Sequence, residues 1–269
     1  MAVWRRGTLP LLLALGIGQA AAAPTAALII DDLGHNRESA RRALALPPPF
    51  AVAILPHAPY TGAIARAAAR AGSDILVHMP MEAEHGPPAP HALLAEMDDS
   101  TLRARLGHAV ESVPGAVGVN NHQGSGLTAR ASAMALVMRE LAQRSPPLLF
   151  IDSRTTAATE AETAAREAGV AVARRHVFLD HRRGTDAIER ATEAWFERAR
   201  ETGCALAIAH PRPDTMRVLE RKLPRAQGIE RVDLSTYIKR CGTPATGDGQ
   251  WRVSSSRSQP AARNSKPSP

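Results

Sequence analysis

Cysteine is almost missing from this chain, with two among 269 residues. That excludes a small domain stapled by disulfides in place of a core. The strongly apolar stretch near the start, residues 9–17, falls short of the roughly 20 residues that cross a bilayer, and a multi-span membrane protein is excluded as well. Hydrophobic residues make up 44% and charged residues 22%, which rules out low-complexity disorder for the whole chain. The length suits one large α/β domain or two small ones, either able to bury a core.

A concentrated positive face is missing too. The formal net charge is +7, but Arg5 and Arg6 supply two of those charges. Residues 242–269 supply three more, net of Asp248, so the long middle keeps only two. A surface that reads phosphates would carry its excess in the folded domain, so nucleic acid is not an expected partner.

The two ends read as non-core segments. Residues 1–23 have a basic start, a short apolar run and small residues, the pattern of a secretory signal peptide. The expected location is therefore secreted or periplasmic, with cleavage among residues 20–23 and no membrane span afterwards; an uncleaved anchor is the alternative. Residues 242–269 form a basic Ser/Pro-rich tail with no apolar period, expected to be disordered. Export would permit Cys204 and Cys241 to pair, and two unpaired small hydrophobes is the other reading.

Between these ends, residues 24–241 alternate short apolar runs with longer amphipathic stretches. The runs fall at 27–30, 51–55, 75–77, 116–119, 148–151, 170–173 and 205–209. Continuous apolar runs fit strands buried on both faces of a parallel sheet. Residues 64–71, 102–113, 131–141 and 188–200 carry apolar side chains at three- and four-residue steps, as helices do. Gly72, Gly169 and Gly203 sit where such helices should stop. The alternation predicts an α/β fold, either a (β/α) barrel of about seven parallel strands or an open doubly wound sheet.

Five of the runs end in polar residues. The first leads into Asp31-Asp32, the third into His78, the fourth into Asn120-Asn121-His122, the fifth into Asp152-Ser153-Arg154 and the last into His210. Singly, each has a plain explanation: Asp-rich segments start turns, and a lone histidine after a strand is commonly a packed side chain. Together they line one rim, because strand C-termini of a parallel barrel share the face that holds active sites. One Asp and two His make a set of three ligands that leaves positions open for water and substrate, which Zn²⁺, Fe²⁺, Co²⁺ or Ni²⁺ accept. A second Asp beside them can act as base and a further His can protonate a leaving group. His57, His85, His91, His108 and His181 are assigned no ligand role.

Six blocks occur in order: Ile29-Ile30-Asp31-Asp32-Leu33-Gly34, His78-Met79-Pro80-Met81-Glu82, Asn120-Asn121-His122-Gln123-Gly124-Ser125, Phe150-Ile151-Asp152-Ser153-Arg154-Thr155, Val177-Phe178-Leu179-Asp180 and Ala209-His210-Pro211. In these the chain resembles the divergent polysaccharide deacetylase family, distant relatives of the NodB-like carbohydrate esterases, from about residue 27 to about residue 234. The resemblance implies a distorted (β/α) barrel of the NodB-like type. It also implies one divalent transition metal, zinc foremost, held by Asp32, His78 and His122. Asp31 would be the base and His210 the general acid, while Asp152 and Arg154 would orient them or bind polar groups of the substrate. The chain departs from the family pattern at Gln123, where Met is expected, at Ala209, where Gly is expected, and at His176, where Asp is expected.

The implied function is an exported metal-dependent hydrolase that removes acetyl groups from an N- or O-acetylated carbohydrate or other acetylated small substrate. It would act on carbon–nitrogen bonds other than peptide bonds. Aromatics amount to 3%, and sugars usually stack on rings, so a long aromatic-lined groove is excluded. The alternative is a non-catalytic cell-envelope protein that keeps the metal site for binding or structure and partners another envelope protein. A metal-dependent phosphoesterase is disfavoured, because no glycine-rich loop opens a helix.

Overall fold

The computed structural model describes residues 23–245. The expected signal peptide, apart from Ala23, and the tail beyond Ala245 lie outside the described residues. Among the described residues nine strands form one sheet. In chain order the elements are β1 (Thr25–Leu33), α1 (Arg37–Leu44), β2 (Ala51–Ile54), α2 (Thr61–Arg70), β3 (Asp74–Met81), α3 (Asp99–Ser112), β4 (Gly118–Gln123), α4 (Ala131–Ala142) and β5 (Leu149–Asp152). They continue with α5 (Ala161–Ala168), β6 (Val172–Arg174), β7 (Val177–Phe178), α6 (Thr185–Thr202), β8 (Cys204–Ala209), α7 (Pro213–Lys222), β9 (Glu230–Arg231) and α8 (Leu234–Cys241). Among the described residues no helix is long and apolar enough to cross a membrane.

The expected (β/α) barrel is the architecture found. All strand pairings are parallel, in the order β6-β5-β4-β3-β2-β1-β8-β7, with β9 beside the start of β1. The sheet's two edges are one piece of chain. Only Arg175 and His176 separate β6 from β7, so the edges lie within about 11 Å of each other, the reach of three residue steps. Arg175 N–H donates to the Asp152 carbonyl on β5, and His176 N–H donates to the Leu206 carbonyl on β8. A single extended segment thus changes partner midway and closes a seven-stranded barrel with a seam.

Alternation along the strands sorts the side chains. Outward residues such as Leu28, Ile30, Val52, Val77, Val119, Phe150 and Ala207 pack under the helices. Inward residues are small or medium: Ala27, Ile29, Ala51, Ala53, Leu76, Leu149, Ile151, Ala173, Leu206 and Ile208. So much alanine leaves the interior underfilled, and α8 completes it with Leu234, Tyr237 and Ile238. Asp233 caps α8 by accepting from Thr236 N–H. The packed chain runs past Cys241, since Thr243 and Val172 exchange both backbone hydrogen bonds.

Sequence periodicity locates α2, α3, α4 and α6, and Gly169 and Gly203 end their helices in the left-handed conformation that suits glycine. The periodic stretches do not include α1, α5, α7 and α8, which are eight to ten residues long and offer only two or three turns of pattern. The strands also run further than the apolar runs. β1 includes Asp31-Asp32, β3 includes His78 to Met81, and β4 includes Asn120 to Gln123, so the polar residues that follow these runs belong to the sheet.

Cys204 and Cys241 are joined, with Cα atoms 5.9 Å apart and a sequence separation of 37. The bond ties the start of β8 to the end of α8. Closing a loop of that size restricts the unfolded chain by about 3–4 kcal/mol. Cys204→Ser/Cys241→Ser should lower the thermal midpoint by roughly 6–16 °C, measured by circular dichroism under non-reducing conditions.

Candidate metal and acid–base site

The inward row of side chains becomes polar at the C-terminal mouth of the barrel. Asp31 follows Ile29 on β1, His78 follows Leu76 on β3, and Asn120 and His122 occupy alternate positions of β4. Parallel pairing sets His78 opposite Asn120 and Pro80 opposite His122. His210 comes one step beyond β8 on the parity of Leu206 and Ile208.

Asp32 would face outward in a regular strand. A bulge prevents this: Ile30 pairs with Val52 and Leu33 with Ile54, so three steps of β1 oppose two of β2. Within the bulge Asp32 takes φ 60°, a left-handed conformation that aspartate tolerates better than most residues. Adjacent carboxylates, normally on opposite faces, are thereby both delivered to the mouth.

Three ligand atoms converge there. Asp32 Oδ1 lies 3.1 Å from His78 Nε2 and 3.1 Å from His122 Nδ1, and the two nitrogens are 3.1 Å apart. Atoms so spaced around a common centre at about 2.1 Å subtend roughly 95° pairwise, a facial arrangement suited to a transition metal. The surrounding bonds turn lone pairs inward. Asp31 can only accept while ionised, so Asn120 Nδ2 faces its Oδ1 at 2.9 Å. Asn120 Oδ1 then accepts from His78 Nδ1 at 2.9 Å, which leaves Nε2 as the free ligand atom. Asp32 Oδ1 is buried and makes no hydrogen bond of proper geometry, despite the short separations. A buried unpaired carboxylate oxygen is costly, and a cation in the triangle would satisfy it. The residues fit a divalent transition metal.

Burial alone would lower His78, but the Asp31 and Asp32 carboxylates lift its imidazole to about 9, so a bound metal takes the place of the Nε2 proton in the same negative field. Burial would raise Asp32, yet His122 and His78 hold its carboxyl well below the usual range. Asp31 is pushed up from its ordinary value, chiefly by burial, which leaves it a stronger base than an exposed aspartate.

His210 stands on the far side of Asp32, its Nε2 3.3 Å from Asp32 Oδ2. Its Nδ1 donates to Asp180 Oδ1 at 3.0 Å, and its backbone N–H donates to Asp180 Oδ2 at 2.9 Å. Thr215 Oγ1 donates to the same Oδ2 at 2.9 Å, and Arg212 bonds the Asp180 carbonyl at 2.7 Å. Although burial works against the charged ring, Asp180 and Asp32 raise the His210 pKa. Asp180 closes one of the six sequence blocks, yet the motif by itself assigns it no role. A signal for it exists, since the short run 177–179 ends in a carboxylate as other strands end in site residues.

Asp152 and Arg154 sit elsewhere. Asp152 falls on the outward parity beside Phe150 and is fully buried. Its Oδ1 accepts from Arg154 N–H at 2.8 Å, a short turn that holds Arg154 at φ 48°. Neither side chain is hydrogen-bonded to Asp31 or His210 among the described residues. Arg175, on the inward parity after Ala173, takes the nearer place. Its Nε and Nη2 bond the Ser153 and Arg154 carbonyls at 2.6 and 2.7 Å, and its guanidinium lies 5.1 Å over Phe178. The Phe178 ring in turn lies 5.1 Å from His210. Rim position alone does not distinguish Asp152 from Arg175; counting parity from Ile151 and Ala173 does. His176 turns away, its Nδ1 accepting from Leu206 N–H at 3.1 Å.

Comparison with known proteins adds family to geometry. The family model described as divergent polysaccharide deacetylase matches residues 28–238. The chain is 35% identical over 219 residues to the Escherichia coli K12 protein YibQ, named as uncharacterized, covering 81% of this chain and 68% of that one. It is 37% identical over 207 residues to an uncharacterized Haemophilus influenzae protein, covering 74% and 71%. The crystal structure of uncharacterized protein ATU2773 from Agrobacterium tumefaciens superposes with a TM-score of 0.76 at 25% identity, covering 81% of this chain and 90% of that one.

A ligand that binds only the folded chain stabilises it, by about 2.7 kcal/mol at a hundredfold excess over Kd. Zinc added to metal-free protein should therefore raise the thermal midpoint by roughly 5–11 °C. The same addition should leave His78→Ala/His122→Ala unmoved in a matched melting experiment.

Proposed function

The chain belongs to the divergent polysaccharide deacetylase family, and we propose that within it this protein is an exported, metal-dependent hydrolase releasing acetyl groups from an N- or O-acetylated carbohydrate. Asp32, His78 and His122 would hold the metal, with zinc as the expected ion for two imidazoles and a carboxylate. When bound, such a metal polarises an acyl oxygen and lowers the pKa of water. Export is supported by the leader-like pattern of residues 1–23 and by the Cys204–Cys241 bond, since disulfides persist in oxidising compartments.

The observation that carries the reading is a base and an acid on either side of the ligand triangle, where a purely structural metal site needs neither. Asp31 Oδ1 is occupied by Asn120, while Oδ2 is 3.7 Å from His78 Nε2 and free to accept a proton from attacking water. His210 Nε2 carries the proton that the departing amine or alkoxide requires. Asp180 holds the ring by Nδ1 and favours its charged form. Phe178, backed by Arg175, offers one ring for a sugar face, which suits a short binding site.

Acetate release from N-acetylated chito-oligosaccharides by the zinc-loaded full chain is the test. Asp31→Asn should lower kcat by about 10²–10⁴-fold while metal content, measured by elemental analysis, stays near one equivalent. A metal-loaded wild type that releases no acetate from acetylated sugars or amides would support a non-catalytic envelope role instead. Asp180→Asn should lower kcat with little change in KM, and its pH–rate profile should lose its limb on the high-pH side at a lower pH than wild type, because the charged His210 ring loses its partner.

A further inference from the structure

Beside the mouth, over the seam where the chain passes from β6 to β7, lies a hollow of about 350 Å³ lined by Arg154, Arg174, Arg175, Arg198 and His176, with Thr155 and Thr156 on its wall. Four guanidiniums around one small space repel one another, and the fold does little to offset them. Arg174 lies 3.5 Å from Glu162. Buried Asp152 adds its field to Arg154 and Arg175. The other three arginines have no ion pair among the described residues. Two carboxylates thus offset at most half of the positive charge.

The donors are arranged as a site. Arg175 is held by the Ser153 and Arg154 carbonyls, and Arg154 by the Asp152 turn. Because His176 Nδ1 accepts from Leu206 N–H, its hydrogen resides on Nε2, which makes the ring a neutral donor. Burial and the four arginines push its pKa down to about 4, an independent mark of the positive field. Guanidinium forks match oxyanions in bidentate geometry, and two uncompensated charges are what a dianion neutralises.

We propose that this hollow is a binding site for a doubly charged oxyanion of the phosphate class, separate from the Asp32–His78–His122 triangle. Its donors are side chains instead of a glycine-rich loop at a helix start, which is why no phosphate motif marks it in the sequence. The wall formed by Ser153 to Arg175 joins it to the mouth, since Ser153 Oγ lies 3.4 Å from Asn120 Nδ2. A phosphate substituent anchored there would position the ligand that carries it.

Calorimetric titration of the metal-free full chain with inorganic phosphate tests this, with glucosamine 6-phosphate and acetate as parallel arms. Phosphate should bind at one site and acetate at least tenfold more weakly. Arg198→Ala should weaken phosphate at least tenfold and Arg174→Ala/Arg198→Ala beyond detection; both residues are exposed, so their thermal midpoints should match wild type. His78→Ala/His122→Ala should bind phosphate as wild type does, whether or not the triangle proves hydrolytic. Tighter binding of the sugar phosphate identifies a group carried on a glycan, and equal binding a free anion. No saturable phosphate binding, binding untouched by the arginine substitutions, or binding lost only with the two histidines overturns the proposal.

Discussion

The bulge in β1 is the constraint on which the site depends. A strand that alternates strictly can send only one of two adjacent carboxylates into a barrel. Inserting one extra residue between Ile30 and Leu33, with Asp32 left-handed, turns the second carboxylate inward. Asp31 then remains in the inward row, bonded to Asn120, while Asp32 reaches His78, His122 and His210. Without the bulge the base and the metal-ligating carboxylate would lie on opposite faces of the sheet.

The second constraint is the seam. A closed barrel needs its last strand to meet its first neighbours, and here a three-residue β6 and a two-residue β7 divide that task along one segment. The break between them is where Arg175 turns inward toward Phe178 and the Ser153 carbonyl, and where His176 turns toward β8. The irregularity thus shapes the mouth on one side and gathers arginines on the other. Strand exchange spares the backbone any cost, because Arg175 and His176 N–H groups both find carbonyls.

Electrostatics links these features. Three carboxylates and three imidazoles occupy the mouth: Asp31, Asp32 and Asp180 with His78, His122 and His210. Burying so many ionisable groups is tolerable only when each has a partner. Asn120 serves two of them at once, fixing His78's tautomer while bonding Asp31. Asp180 holds His210 through both oxygens, Oδ1 accepting from the ring and Oδ2 from the backbone N–H, and Oδ2 accepts from Thr215 as well. Within this group Asp32 Oδ1, one corner of the ligand triangle, is buried without a hydrogen bond.

By itself the sequence determined the class of fold and the group of polar residues from which the candidate ligands come. Seven apolar runs and the polar residues behind them are local patterns, readable because strand burial on both faces demands continuous apolar residues. Asp32, His78, His122, Asp31 and His210 were all legible in that way. Tertiary structure alone decided what those residues do to one another. The bulge, the partner change between β6 and β7, the pairing of Cys204 with Cys241 and the bond from Asp180 to His210 all depend on strand register, and register is set by distant packing. Asp152 lies on the helix side of its strand and Arg175 on the interior parity for the same reason. One step along a strand moves a side chain from the interior to the helix layer, and residue type carries no record of that step.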